Sequence, residues 1–120
     1  MEIIEKRKQI RAKIIKEAKE WAESLKGKYT AILIGSYAKG DFNIWSDVDI
    51  VLISDFKGNP LERLKSIDMP AGYEIIPLTF EEFMRLLSKK DPIAKDAIKY
   101  KLILRDDFKI IDILTSEEEK

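Results

Sequence analysis

The chain has 120 residues, 45% hydrophobic and 37% charged, with 22 basic and 22 acidic side chains that cancel. It contains no cysteine and no histidine, which excludes disulfides, thiolate metal sites, imidazole bases and His-ligated zinc. Zero net charge argues against general nucleic-acid binding, no apolar run approaches the roughly 20 residues of a membrane span, and the charged N-terminus does not read as a signal peptide.

Any acid, base or ligand must therefore be Asp, Glu, Lys or Tyr. Carboxylates without histidine suit a hard cation, magnesium or manganese. The length suits one domain, residues 1–120, and a cytoplasmic enzyme or partner protein is the expectation. Abundant Lys, Glu and Ile is a composition common in thermophile proteins.

Residues 2–26 read as one long amphipathic helix. Ile3, Ile10, Ile14, Ala18, Trp21 and Leu25 form its apolar stripe, widened by Ile4, Ile15 and Ala22, and Gly27 suits its C-cap. Lys6, Arg7, Lys8, Arg11, Lys13 and Lys16 make the other face basic near its start. A solvated face is the plainer reading and an anionic partner the sharper one.

The predicted core spans about 29–114. Residues 29–34 are β-branched and apolar and predict a buried strand ended by glycine. A Gly35–Gly40 turn follows, then a strand over 47–53. Alternation puts Asp47 and Asp49 on one face of that strand, at its mouth. Asn59, Pro60 and Glu62 start a short helix over 60–66. Residues 73–78 predict a third strand, in which Glu74 is the lone charge. Thr79 and Glu82 form a capping box, with Leu78 and Phe83 placed as a staple, for a helix to about Lys89. Asp91-Pro92 starts a further helix, Leu102-Ile103-Leu104 a last short strand. Residues 108–114 are of undetermined type, and the polar tail from Thr115 reads as frayed. The fold class is α/β (α+β): a small mixed sheet of three to five strands with helices mainly on one face.

Two carboxylates at spacing two on one strand face repel each other unless a cation sits between them. Gly35-Ser36 at a strand-to-turn junction lets a phosphate approach the backbone, with Lys39 nearby as a positive charge. Glu74 is the candidate third ligand of a two-metal site. Gly35 and Gly40 also fit half of a Walker A loop, but Asp41-Phe42 stands where Lys-Ser/Thr is needed, so that reading fails.

Gly35-Ser36, ten residues, then Asp47-Val48-Asp49 resembles the signature of the DNA polymerase beta-like nucleotidyltransferase superfamily. The compact Gly-Ser-Tyr-Ala-Lys-Gly form followed by Ser46-Asp47-Val48-Asp49 is similar to its minimal nucleotidyltransferases. The resemblance implies a polymerase beta palm-like fold. It implies magnesium, two ions or manganese in their place, on Asp47, Asp49 and Glu74, which are also the catalytic residues. Gly35, Ser36, Lys39 and Ser46 are then the nucleotide-binding residues. The family's third acid is commonly aspartate; here it is glutamate.

The activity implied is transfer of a nucleoside monophosphate from ATP or another NTP to a hydroxyl, with release of pyrophosphate. Minimal members are often encoded beside a small helical HEPN protein, in pairs resembling toxin–antitoxin systems in which a partner tyrosine is adenylylated. The sequence shows no substrate-binding domain, so acceptor recognition is expected from a partner or a homo-oligomer. A contact-only, inactive partner protein and a small-molecule nucleotidyltransferase are the alternatives.

Overall fold

A computed structural model describes residues 2–120. Ten elements follow in order: α1 (Glu2–Ser24), β1 (Thr30–Ile34), α2 (Gly35–Lys39), β2 (Val48–Ile53), α3 (Pro60–Leu64), β3 (Tyr73–Leu78), α4 (Phe80–Ser88), α5 (Pro92–Tyr100), β4 (Leu102–Asp106) and α6 (Ile110–Glu118).

The four strands form one mixed sheet in the order β3-β2-β1-β4. β1 runs antiparallel to both β2 and β4, and β2 runs parallel to β3. The parallel pair needs a crossover, which α3 occupies. β1 is buried at every position and β2 at every position but Asp49. Strands apolar on both faces need cover on both. The helices are accordingly divided between the faces, rather than gathered mainly on one. Ala31, Leu33, Ile50 and Leu52 pack against Ala18 and Ala22 of α1. Ile32, Ile34, Val51 and Ile53 pack against Phe83 of α4, Ala94 and Ala97 of α5, and Ile110 and Leu114 of α6.

Only the later part of the α1 stripe is used. Ile14, Ile15, Trp21 and Leu25 pack on the sheet, while Ile3, Ile4 and Ile10 stay exposed. The helix ends at Ser24, two residues before the expected boundary. Arg105 of β4 donates to the carbonyls of Ala22 (2.8 Å) and Leu25 (2.7 Å), satisfying groups that the helix end leaves without partners.

Local signals elsewhere hold closely. Asn59 and Thr79 both form capping boxes, with Glu62 and Glu82. Glu82 also accepts from Arg63 at 2.6 Å, and with the Thr79 N–H this pulls its carboxyl down to about 2. Asp91 caps α5, accepting from Ile93 N–H at 2.9 Å.

Two segments differ from expectation. The Gly35–Gly40 turn is the short helix α2, closed by Gly40 in the left-handed region. The last segment is a helix through Glu118, not a frayed tail. Asp106 accepts from the N–H groups of Ile110 (2.7 Å) and Ile111 (3.0 Å) and from the Thr30 hydroxyl (3.0 Å), tying the start of α6 to β1. Among the described residues no helix is long and apolar enough to cross a membrane.

Candidate active site

The sheet register builds the site. Asp49 pairs with Ile34 of β1 on one side and with Glu74 of β3 on the other. Directly paired residues share a sheet face. Asp47 precedes β2 by one residue and joins them. Carboxylate oxygens of Asp47, Asp49 and Glu74 all lie within 4.8 Å of one another. Asp47 and Glu74 are exposed and Asp49 is half-buried. The cluster therefore opens to solvent at one end of the sheet, where β1 ends and β2 and β3 begin.

Three carboxylates this close destabilise one another. Partial burial, then the hydrogen bond and charge of Glu74, then the charge of Asp47 push the Asp49 carboxyl up to about 6. The folded state thus holds this proton more tightly than the unfolded chain does. Stability falls as pH rises through the window from the ordinary value of 3.8 to about 6. Solvent screening at a half-buried carboxylate limits the cost above that window to about 1 kcal/mol. A divalent cation removes it. Without one, thermal unfolding should shift down by a few degrees between pH 5 and pH 7, above the range in which Glu82 titrates in the unfolded chain, and Mg²⁺ or Mn²⁺ at pH 7 should restore it. Asp49→Asn should be insensitive to both changes. A wild-type midpoint indifferent to the cation would contradict this picture.

The donor set fits a hard cation: three carboxylates, no histidine or cysteine, and access from solvent. The cluster can hold a metal ion.

Gly35 lies against this cluster. Its φ of +73° is in the left-handed region, and a Cβ there would overlap the Asp49 carboxylate, with Asp49 Cγ at 3.2 Å. Only glycine lets the backbone pass this close. α2 begins here, with Ser36 in its first turn. Among the described residues no side chain caps its N-terminus.

The structure brings Asp47, Asp49, Glu74 and Gly35 together. Two other candidates have different contacts. Lys39, at the far end of α2, lies 3.9 Å from Asp96 of α5 and faces a cleft lined by α1. The Ser46 hydroxyl accepts from the Asn43 N–H at 2.9 Å, and the Ser46 N–H donates to the Asn43 carbonyl at 3.1 Å. Asn43 Oδ1 in turn accepts from the Trp45 N–H at 2.8 Å. This knotted turn leads into Asp47 and fixes where β2 begins. Asn43 is thus a positioning residue that the sequence reading passed over; its signal was an asparagine, a turn former, just ahead of the acidic pair.

Arg7 and Arg11 were also missed as structural groups. Arg11 donates to the carbonyls of Tyr37 (2.7 Å) and Ala38 (3.0 Å), and Arg7 to that of Phe42, at the C-terminal end of α2. Cations suit a helix C-terminus. Part of the basic start of α1 therefore anchors the helix that carries Gly35 and Ser36.

A Methanocaldococcus jannaschii protein named "Putative protein adenylyltransferase" is 44% identical over 45 residues, 33% of this chain and 45% of the relative. The chain thus matches less than half the length of that relative. No solved structure is a significant match to the chain. The family model described as "Nucleotidyltransferase domain" matches residues 11–117. That span takes in α2, the acidic cluster and all four strands, and the chain belongs to the nucleotidyltransferase domain family.

Proposed function

We propose that this chain transfers AMP from ATP to a hydroxyl on a protein acceptor, with magnesium. Membership of the family supports nucleoside monophosphate transfer in general. The observation that carries the reading is the convergence of Asp47, Asp49 and Glu74 within 4.8 Å, against the Gly35 backbone.

In this reading Asp47 and Asp49 hold the cation, with Glu74 beside them. A bound divalent ion supplies neutralising charge for the triphosphate. Gly35 and Ser36, at the uncapped start of α2, offer backbone N–H groups to phosphate oxygens. Glu74, exposed at the rim, takes the proton of the acceptor hydroxyl. The bond between acceptor oxygen and α-phosphorus forms, the α–β anhydride bond breaks, and pyrophosphate leaves with its electron pair. Lys39 and Ser46 act from outside this contact set, through α2 and through the turn ahead of Asp47.

The relative's printed name supports a protein acceptor. So does the surface beside the site. Ile44 and Trp45 are 86% and 82% exposed on the knotted turn directly before Asp47. An exposed apolar pair on a hydrogen-bonded turn suits docking of another protein better than a small polar acceptor. A tyrosine of a small helical HEPN partner is the acceptor in the antitoxin form of this proposal.

The test is transfer of label from ATP to proteins of a source-cell extract in Mg²⁺. Label in the α-phosphate should reach a discrete protein band, and label in the γ-phosphate should not. Glu74→Gln should lower transfer by about 10²-fold, the scale of a lost general base. Full transfer by Glu74→Gln would remove Glu74 from the chemistry. No transfer by the wild type would favour a partner that neutralises by contact alone.

A further inference from the structure

A second charged cluster, of opposite sign, lies at the other end of α2. A cleft of about 450 Å³ is lined by Arg7, Lys8 and Arg11 of α1, Lys39 of α2 and Tyr100 of α5, with Phe42 beneath. No carboxylate lines it, and Asp96 lies 3.9 Å from the Lys39 ammonium. Among the described residues no carboxylate pairs with Arg7, Lys8 or Arg11.

Capping of α2 accounts for only part of this. The two guanidinium groups are held by carbonyls of α2 and its exit, and Arg7 lies 4.6 Å over the Phe42 ring. That fixes them in place without neutralising them. Lys8 adds a further charge and does not cap α2; Lys39, in the last turn of α2, adds another that it shares with Asp96. Four cations around one concavity, with Asp96 beside Lys39 alone, repel one another unless an anion joins them.

We infer that this cleft binds an oligophosphate anion, at a site separate from the acidic cluster. The guanidinium N–H groups that these carbonyls leave free can donate to phosphate oxygens. Four charges converging on one cleft of ligand size suit a compact, multiply charged anion better than carboxylates spaced along a peptide. Tyr100 adds an aromatic wall to the same cleft. α2 spans about 7 Å at 1.5 Å per residue, so the anion sits within one short helix of Gly35. It touches the end of the element whose start packs on Asp49.

The experiment is calorimetric titration of sodium tripolyphosphate, and separately of ATP, with EDTA present. Three unneutralised carboxylates repel both probes at the acidic cluster, so binding without metal reports the cleft. We expect saturable binding that weakens about tenfold in Lys8→Glu and with rising salt. Lys8 is exposed and makes no bond that folding needs, and Lys8→Ala should give a smaller loss in the same direction. Asp47→Asn/Asp49→Asn should bind no more weakly than the wild type does, whether or not that variant transfers AMP. Equal affinities for the two probes would assign free oligophosphate, and tighter ATP a nucleotide stacked on Tyr100. No binding without metal, or binding unchanged in Lys8→Glu, would overturn the inference. So would an oligoglutamate peptide that binds more tightly than tripolyphosphate.

Discussion

Asp47→Asn and Asp49→Asn should each lower nucleotide transfer about 10³-fold, the scale of losing a principal electrostatic group at a reacting phosphate. Both changes keep side-chain shape and remove charge from a cluster whose oxygens lie within 4.8 Å. Neither should unfold the protein. Asp47 is exposed, and Asp49→Asn relieves the repulsion that pushes its carboxyl up to about 6. Activity and stability should therefore move in opposite directions, because charge gathered for a ligand costs stability without it. Circular dichroism melts beside the transfer assay check this. A variant that loses both together would point to a structural role for the carboxylates.

Gly35→Ala should also damage activity, though less, by a different route. A φ of +73° costs a non-glycine residue about 1–2 kcal/mol. The added methyl also meets Asp49, whose Cγ and Cβ stand at 3.2 and 3.3 Å from it. Either α2 or the carboxylate must shift, and a displacement of about 1 Å at a reacting centre costs about 10²-fold in rate. The combined stability loss should be about 2–3 kcal/mol. Gly40→Ala is the internal control. Its φ of +91° is also left-handed, but no atom lies within 4 Å of the added Cβ. It should lose about 1 kcal/mol of stability and keep its activity. Equal activity losses in the two variants would mean that backbone strain, rather than the Asp49 contact, is at fault.

Much of this was legible locally. β3 runs over the expected 73–78, and the caps at Asn59, Thr79 and Asp91 form as their sequences imply. Caps involve partners two or three residues apart, which a sequence displays. The spacing of Asp47 and Asp49 fixed their shared face for the same reason. Glu74 entered as the one charge in an apolar strand, and its place beside Asp49 depends on a parallel register set by the whole sheet.

What was missed is long-range or too short to show a period. α2 has five residues, opening on Gly35 and closed by Gly40, less than two helical turns, so a turn was the natural reading. α6 was undetermined because its anchor is tertiary: Asp106 caps it while bonded to Thr30, 76 residues away. Burial of both sheet faces was implicit in the unbroken apolar runs of β1 and β2, yet which helix covers which face was not. Lys39 and Ser46 are neighbours of the acidic motif in sequence, but the direction of α2 and the bonds to Asn43 give them other contacts.

The measurement closest to the central claim is paramagnetic broadening of backbone amide signals by Mn²⁺. Substoichiometric Mn²⁺ should selectively broaden signals around Gly35, Ser36, Asp47, Asp49 and Glu74. The Asp47→Asn/Asp49→Asn variant should show no such pattern at the same concentration. Broadening centred elsewhere, or unchanged in the variant, would contradict the assignment of this acidic cluster as the metal site on which nucleotide transfer depends.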